Sequence, residues 1–232
     1  MKKIILTLTI ALSTLNALIA QETKDVPASE FSLKRVELGV RFMPTFSNFT
    51  IKTASTGVVK SNITLGYGGG VTLGFNFSKH LGLQTGVIYN SYSQKYKDNN
   101  LDHQIDVSYI NIPLLLSLNT NKTKPVNLNV MVGPELGINI GSSIKGGSGA
   151  STDTLTAVLA IKGNDFGLAY GFGLEFMLNK TRTLRFDIGY RGIYGFTNIS
   201  NTSQTTQTNS YYMIDKANIR SNSIYFGLAF LF

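Results

Sequence analysis

Bulky apolar residues alternate with glycine and polar residues along most of this chain, with the two-residue period of a β-strand rather than the 3.6-residue period of a helix. Val36, Leu38, Val40 and Phe42 share one face of a first predicted strand, against Glu37, Gly39 and Arg41. In a second, Ile63, Leu65, Tyr67, Val71, Leu73, Phe75 and Phe77 oppose Thr64, Gly66, Gly68, Gly70, Thr72, Gly74 and Asn76. A third follows at once, with Leu81, Leu83, Val87 and Tyr89 against Gly82, Gln84, Gly86 and Asn90. The fourth sets Ile110, Ile112, Leu114, Leu116 and Leu118 against Tyr109, Asn111, Pro113 and Ser117. In the fifth, alternate residues from Val126 to Ile140 oppose Asn127, Asn129, Gly133, Glu135, Gly137 and Asn139. The sixth alternates Phe166 to Phe176 with Gly167, Gly171, Gly173 and Glu175, and the seventh sets Leu184, Phe186, Ile188, Tyr190 and Tyr194 against Arg185, Asp187, Gly189 and Arg191. The eighth carries Ile224, Phe226, Leu228, Phe230 and Phe232 on one side and Ser223, Tyr225, Gly227 and Ala229 on the other.

The links between these segments alternate between short (78–80, 119–125, 178–182) and long (44–61, 93–107, 141–163, 197–218). Eight strands joined in sequence by alternately short and long links predict an all-β fold, an eight-stranded antiparallel up-and-down transmembrane β-barrel. Short links would be periplasmic turns and long ones extracellular loops. A soluble barrel of the lipocalin kind also alternates, but packs its bulky residues inward and its charges outward. Here every clear charge within the strands lies on the glycine face. With that face inward, glycine relieves crowding in a lumen just wide enough for side chains to fill. Arg41, Arg185 and Arg191 then avoid the roughly 2–4 kcal/mol cost of facing lipid at mid-bilayer.

The N-terminus reads as an export signal. Lys2 and Lys3 precede an apolar run from Ile4 to Leu15, and Leu18-Ile19-Ala20 offers a cleavage site before Gln21. Residues 1–20 are therefore a predicted signal peptide, 21–33 a polar periplasmic lead-in and 34–232 the barrel domain. No later stretch approaches 18 consecutive apolar residues, which excludes a membrane-spanning helix. Without the signal, 19 basic residues stand against 13 acidic ones, a formal charge of +6. That suits an anionic lipid surface and is too dispersed for nucleic acid. The chain contains no cysteine, so neither a disulfide nor a thiolate metal site supports the fold.

Glu37, Arg41, Glu135, Glu175, Arg185, Asp187 and Arg191 are predicted to form a polar network in the lumen, with Glu175 directly opposite Arg185 if the intervening turn centres on Lys180. Such a network either lines a gated ion path or, the reading expected first, packs and neutralises the lumen and holds the barrel shut; an eight-stranded barrel leaves no porin-sized channel. No catalytic, cofactor-binding or metal site is expected. His80 and His103 fall at opposite ends of the barrel, and in an extended segment Asp102 and Asp106 point away from His103. The glycines of Gly66-Tyr-Gly-Gly-Gly70 fit a strand and not a nucleotide loop, and 141–149 lacks the Gly-Lys-Ser/Thr ending of a phosphate loop. The Ser/Thr/Asn/Gln tract from Thr197 to Ser210 reads as a solvated loop.

Tyr109-Ile-Asn-Ile-Pro-Leu-Leu-Leu116, then Gly133-Pro134-Glu135, then Gly189-Tyr-Arg-Gly-Ile-Tyr-Gly-Phe-Thr-Asn-Ile199 resemble the PorT-like outer-membrane β-barrel family of Bacteroidota, over nearly all of the chain from the first strand to Phe232. The resemblance implies a small eight-stranded barrel in the outer membrane of a Gram-negative cell envelope. It further implies insertion by the barrel-assembly machinery, which reads a last strand ending in an aromatic, with Phe226, Phe230 and Phe232 as that signal. It supplies no activity and no catalytic residue. The namesake's link to secretion implies possible envelope or secretion protein partners beside the outer-membrane lipid. Pro113 and Pro134 each remove one ladder donor and mark a bend or bulge. A surface barrel acting through its loops is thus expected first, then an accessory of envelope assembly or secretion, then an enzyme at the rim using His103 and Asp106.

Overall fold

Residues rich in Val, Ile, Thr, Tyr and Phe suit a pleated sheet, and the computed structural model forms eight strands from them. These are β1 (Val36–Thr53), β2 (Thr64–Asn76), β3 (Leu81–Asp98), β4 (Leu101–Asn119), β5 (Val126–Gly146), β6 (Asn164–Met177), β7 (Leu184–Gly195) and β8 (Ile214–Leu231). The two residues Ser61–Asn62 add a short pairing to β3. The structure describes residues 32–53, 61–62, 64–98, 101–146, 164–197 and 214–232. The export signal, its cleavage and nearly all of the lead-in lie outside the described residues. The chain forms two units, Met1–Ser32 and Leu33–Phe232, and the second holds all eight strands.

Each strand pairs antiparallel with its neighbour in sequence. β1 also pairs with β8, from Glu37↔Leu231 to Lys52↔Lys216, and this seam closes the sheet into a barrel. The described short turns, 77–80, 120–125 and 178–183, lie at the end where β1 begins and β8 finishes. Since barrels of this kind keep short turns on the periplasmic side, this is the periplasmic end.

The apolar faces point outward. Val40 is 58% exposed, Leu65 62% and Phe172 57%, whereas Arg191 on the opposite face is 2% exposed. Phe226, Phe230 and Phe232 stand on the outer wall of β8, the last two rings with centroids 6.2 Å apart. Tyr67 and Tyr89 form an outer-face ring pair, as do Tyr170 and Tyr190.

Three details differ from what the sequence predicts. The segment 93–107 is no loop: β3 and β4 pair from Ser93↔Asp106 out to Asp98↔Leu101. β1, β5 and β8 likewise run into the other predicted loops. In 93–107 the alternation reverses, with Tyr92 and Val107 buried on the inner face and Ser93 and Asp106 on the other, so a search for bulky residues on the lipid face misses it while backbone pairing continues. The second difference is register. The turn after β6 pairs Met177 with Arg185 and Glu175 with Asp187, so Glu175 faces Asp187 and not Arg185. Asn179 Oδ1 accepts from the amides of Thr183 and Leu184, and Arg182 turns with φ 53°, which moves the centre one residue past Lys180. The third is the place of the bulge. The irregularity of the β4–β5 ladder lies between Ser108 and Tyr109, while pairing lapses between Pro113↔Glu135 and Leu116↔Val132. Pro134 falls in that lapse and Pro113 borders it, as expected where ladder donors are missing.

A closed barrel unfolds only when all of its strand seams open together. The purified protein is expected to migrate differently on SDS gels before and after boiling; identical mobility in both states would contradict closure.

Candidate functional site

The inner face must fit long polar side chains into a narrow lumen, and glycine makes the room. A side chain at Gly227 would collide with the Asp187 carboxylate, and one at Gly173 or Gly189 with the Tyr225 hydroxyl. The residues so accommodated form layers along the barrel.

Nearest the periplasmic end, Glu37 accepts from Arg185 Nη1 at 2.8 Å and also from Arg185 Nη2. Asn76 donates to the same carboxylate at 2.6 Å. Lys122 reaches in from the 120–125 turn, its Nζ 3.2 Å from Glu37 Oε1 and 3.0 Å from Glu175 Oε1. Arg185 Nη1 lies 3.3 Å from Glu175 Oε2, which also accepts from Asn127 at 2.6 Å. Asn119, Asn129 and Ser117 continue this network around the wall.

One layer up, Arg41 grips Asp187 Oδ2 with Nε at 3.1 Å and Nη2 at 2.7 Å, and gives Nη1 to Gln84 at 3.0 Å. Its guanidinium lies 4.3 Å from the centroid of the Tyr225 ring, within cation–π range. Above it Arg191 pairs with Glu135, whose other oxygen accepts from Asn111 at 2.6 Å; Asn90 in turn donates to Asn111 at 2.9 Å. Arg191 Nη1 also approaches Met43 Sδ at 3.9 Å. Met43, Ile88, Leu115, Met131, Ala169, Ile193 and Tyr225 form a buried apolar cluster inside the same barrel.

The seven residues that the sequence assigns to a polar network are thus all buried in the lumen, and each takes part in an ion pair. The eighth charged member, Lys122, escapes a sequence reading because it sits in a turn, where a lysine is ordinarily solvated. Its signal is the count: Glu37, Glu135, Glu175 and Asp187 against Arg41, Arg185 and Arg191 leave the set one positive charge short. Lys122, only 5% exposed, brings four cations to these four carboxylates, while a fifth buried carboxylate, Asp165, lies apart from them toward the outer end, beside Gly195. Glu175 and Asp187 can face each other directly because Arg185, Lys122 and Arg41 divide their charge between them.

His80 lies in the first short turn, its Nδ1 3.2 Å from the Asn119 carbonyl. Asp102, His103 and Asp106 lie on extended backbone of β4, paired with Lys97, Tyr96 and Ser93 of β3. Ser93 Oγ donates to Asp106 Oδ1 at 2.5 Å. Among the described residues no three His, Asp or Glu side chains converge as metal ligands.

A closed sheet with apolar residues outside and paired charges inside defines an integral outer-membrane barrel of the small eight-stranded type. The chain belongs to the outer membrane protein beta-barrel domain family, whose model matches residues 19–201. Among solved structures, OprG from Pseudomonas aeruginosa is 14% identical, covers 86% of this chain and 97% of its own, and superposes with a TM-score of 0.55. Neisserial surface protein A is 16% identical, with coverages of 85% and 97% and a TM-score of 0.46. The likeness to OprG is one of fold. No curated protein sequence matches the chain.

Removing one partner of a buried pair strands a charge, at a cost of about 3–5 kcal/mol. Arg191→Met is therefore expected to destabilise the folded barrel by about that amount in urea unfolding from lipid vesicles, and adding Glu135→Gln to recover most of the loss. A double variant no more stable than Arg191→Met would show that the two side chains do not act as a pair.

Proposed function

We propose that this protein is a non-enzymatic surface barrel of the outer membrane that binds a partner, polysaccharide or lipid headgroup through the extracellular ends of its hairpins. The observation that carries this reading is the filled interior: four carboxylates held by four cations, beside the apolar cluster around Met43 and Met131. A lumen occupied in this way points to the two ends and the outer wall as the working surfaces. The paired extension of β3 and β4 from Ser93 to Asp106 supports the outer end, because the sheet continues there, with β4 paired to β5 out to His103↔Gly146 and Ser61–Asn62 paired to β3. Loops held on a rigid scaffold are where binding residues concentrate.

The periplasmic end favours a second reading, an accessory of envelope assembly or secretion as the PorT-like resemblance implies. There the Lys122 amide donates to the Lys79 carbonyl at 2.9 Å, and Arg182 donates to the Thr123 carbonyl. These bonds tie the three short turns into one fixed platform on which a periplasmic protein would find a preformed surface.

Crosslinking in intact cells, followed by purification of the barrel, separates the two. Shortening the β3–β4 arm by removing 94–105 is expected to preserve the heat-dependent gel shift and abolish the crosslinked partners. Partners that survive this change but are lost on Lys124→Glu with Arg182→Ser would favour the periplasmic accessory. In a planar bilayer the wild-type protein is expected to carry no steady porin-sized current, and such a current would overturn the filled-lumen reading.

A further inference from the structure

The wall of the barrel carries one feature that neither a packed lumen nor a binding hairpin uses. Arg220 of β8 is exposed on the outer face, on the same side of the strand as Asn222, Ile224 and Phe226. It lies twelve positions before Phe232. At about 3.3 Å per residue and a strand tilt of about 40°, that is roughly 30 Å along the membrane normal, against an apolar band of about 25 Å. Arg220 therefore clears the hydrocarbon and stands at the level of the outer headgroups.

Its guanidinium is held there and does not trail into water. It lies 4.7 Å from the centroid of the Tyr194 ring, and its Nη2 donates to Tyr194 Oη at 3.1 Å. Tyr194 is the register partner of Arg220 on β7, and its ring also packs at 5.6 Å on Phe196. Stacking on an aromatic face fixes the plane of a guanidinium, whose other donors form the fork that matches a phosphate. Two positions toward the bilayer, Asn222 accepts from the Tyr190 hydroxyl through Oδ1, which orients its amide nitrogen as another donor on the same wall. On the other side of β8 the backbone of Arg220 is in register with Asn48 of β1, so the group stands beside the seam that closes the sheet.

We propose that the outer wall of the barrel along β7 and β8, beside the closing seam, is a binding site for the phosphorylated headgroup of an outer-leaflet lipid, with Arg220 as the phosphate-binding residue and Tyr194 as the residue that positions it. The site lies on the wall, so it stands whether or not the hairpin ends bind a partner. It would fix the barrel's rotation and depth in the membrane next to the seam.

The test is retention of lipid by the full-length refolded protein, measured by native mass spectrometry from mixed micelles containing monophosphoryl lipid A or the same glycolipid without its phosphate. The wild type is expected to retain the phosphorylated form at least about tenfold better, since a charge-assisted contact contributes about a factor of ten or more. Arg220→Gln is expected to abolish that preference and Arg220→Lys to keep part of it. Tyr194→Phe, which leaves the ring but removes the hydroxyl, should weaken it by a smaller factor. Both variants at position 220 should keep the heat-dependent gel shift, since the side chain lies outside the barrel. Equal retention of the two glycolipids by the wild type, or an undiminished preference in Arg220→Gln, would overturn the proposal. So would displacement of the lipid by equimolar inorganic phosphate, which would mark a site for soluble anions.

Discussion

Hydrocarbon offers a peptide group no hydrogen-bond partner, so a sheet that crosses a membrane cannot keep a free edge. The β1–β8 seam removes that edge, with register partners from Glu37↔Leu231 outward. Everything else in the molecule depends on closure with eight strands. The outer wall must be apolar over the height of the bilayer, which is why Val40, Leu65 and Phe172 lie exposed without penalty. The inner wall then encloses a space too narrow for bulk water and too polar to be left empty.

That space decides the chemistry of the interior. A charge confined there is tolerable only with its counter-charge in reach, and the lumen arranges its carboxylates and cations in layers, Glu37 and Glu175 around Lys122 and Arg185, Asp187 with Arg41, and Glu135 with Arg191. Glycine on one strand makes room for a long side chain from the next, as Gly227 does for Asp187. Lys122 couples this interior to the periplasmic turns, because a residue of the turn itself neutralises the two lowest carboxylates. Stability and sealing are thus one property here: the interactions that hold the strands in register also occupy the lumen. In the function proposed above, recognition is left to the surfaces, the aromatic and cationic residues at the bilayer edge and the outer ends of the strands.

Much of this is legible in the order of the residues. Period-two alternation locates all eight strands and both faces, since the contrast between lipid and a crowded lumen is written into every second residue. The inward charges are legible too, because Arg41, Arg185 and Arg191 cannot face hydrocarbon. Prediction fails where that contrast vanishes. Residues 93–107 lie past the bilayer, where the alternation reverses: Tyr92 and its partner Val107 are buried on the inner face, while the polar Ser93 and Asp106 stand on the other. The position of Lys122 depends on a turn folding back over the barrel mouth, which no periodicity encodes.

Local alternation in a two-sided environment is enough to specify the class of fold, the direction each strand face points and which charges must lie inside, and all three can be read residue by residue along the chain. Which charge meets which is settled only in the assembled sheet. Glu175 faces Asp187 because Asn179 and Arg182 place the centre of their turn one residue later than its composition suggests. Arg41 reaches Asp187, and Arg185 reaches Glu37, across 146 and 148 residues of chain. Such partners are chosen by ring closure and register, which are properties of the whole sheet and of no single strand.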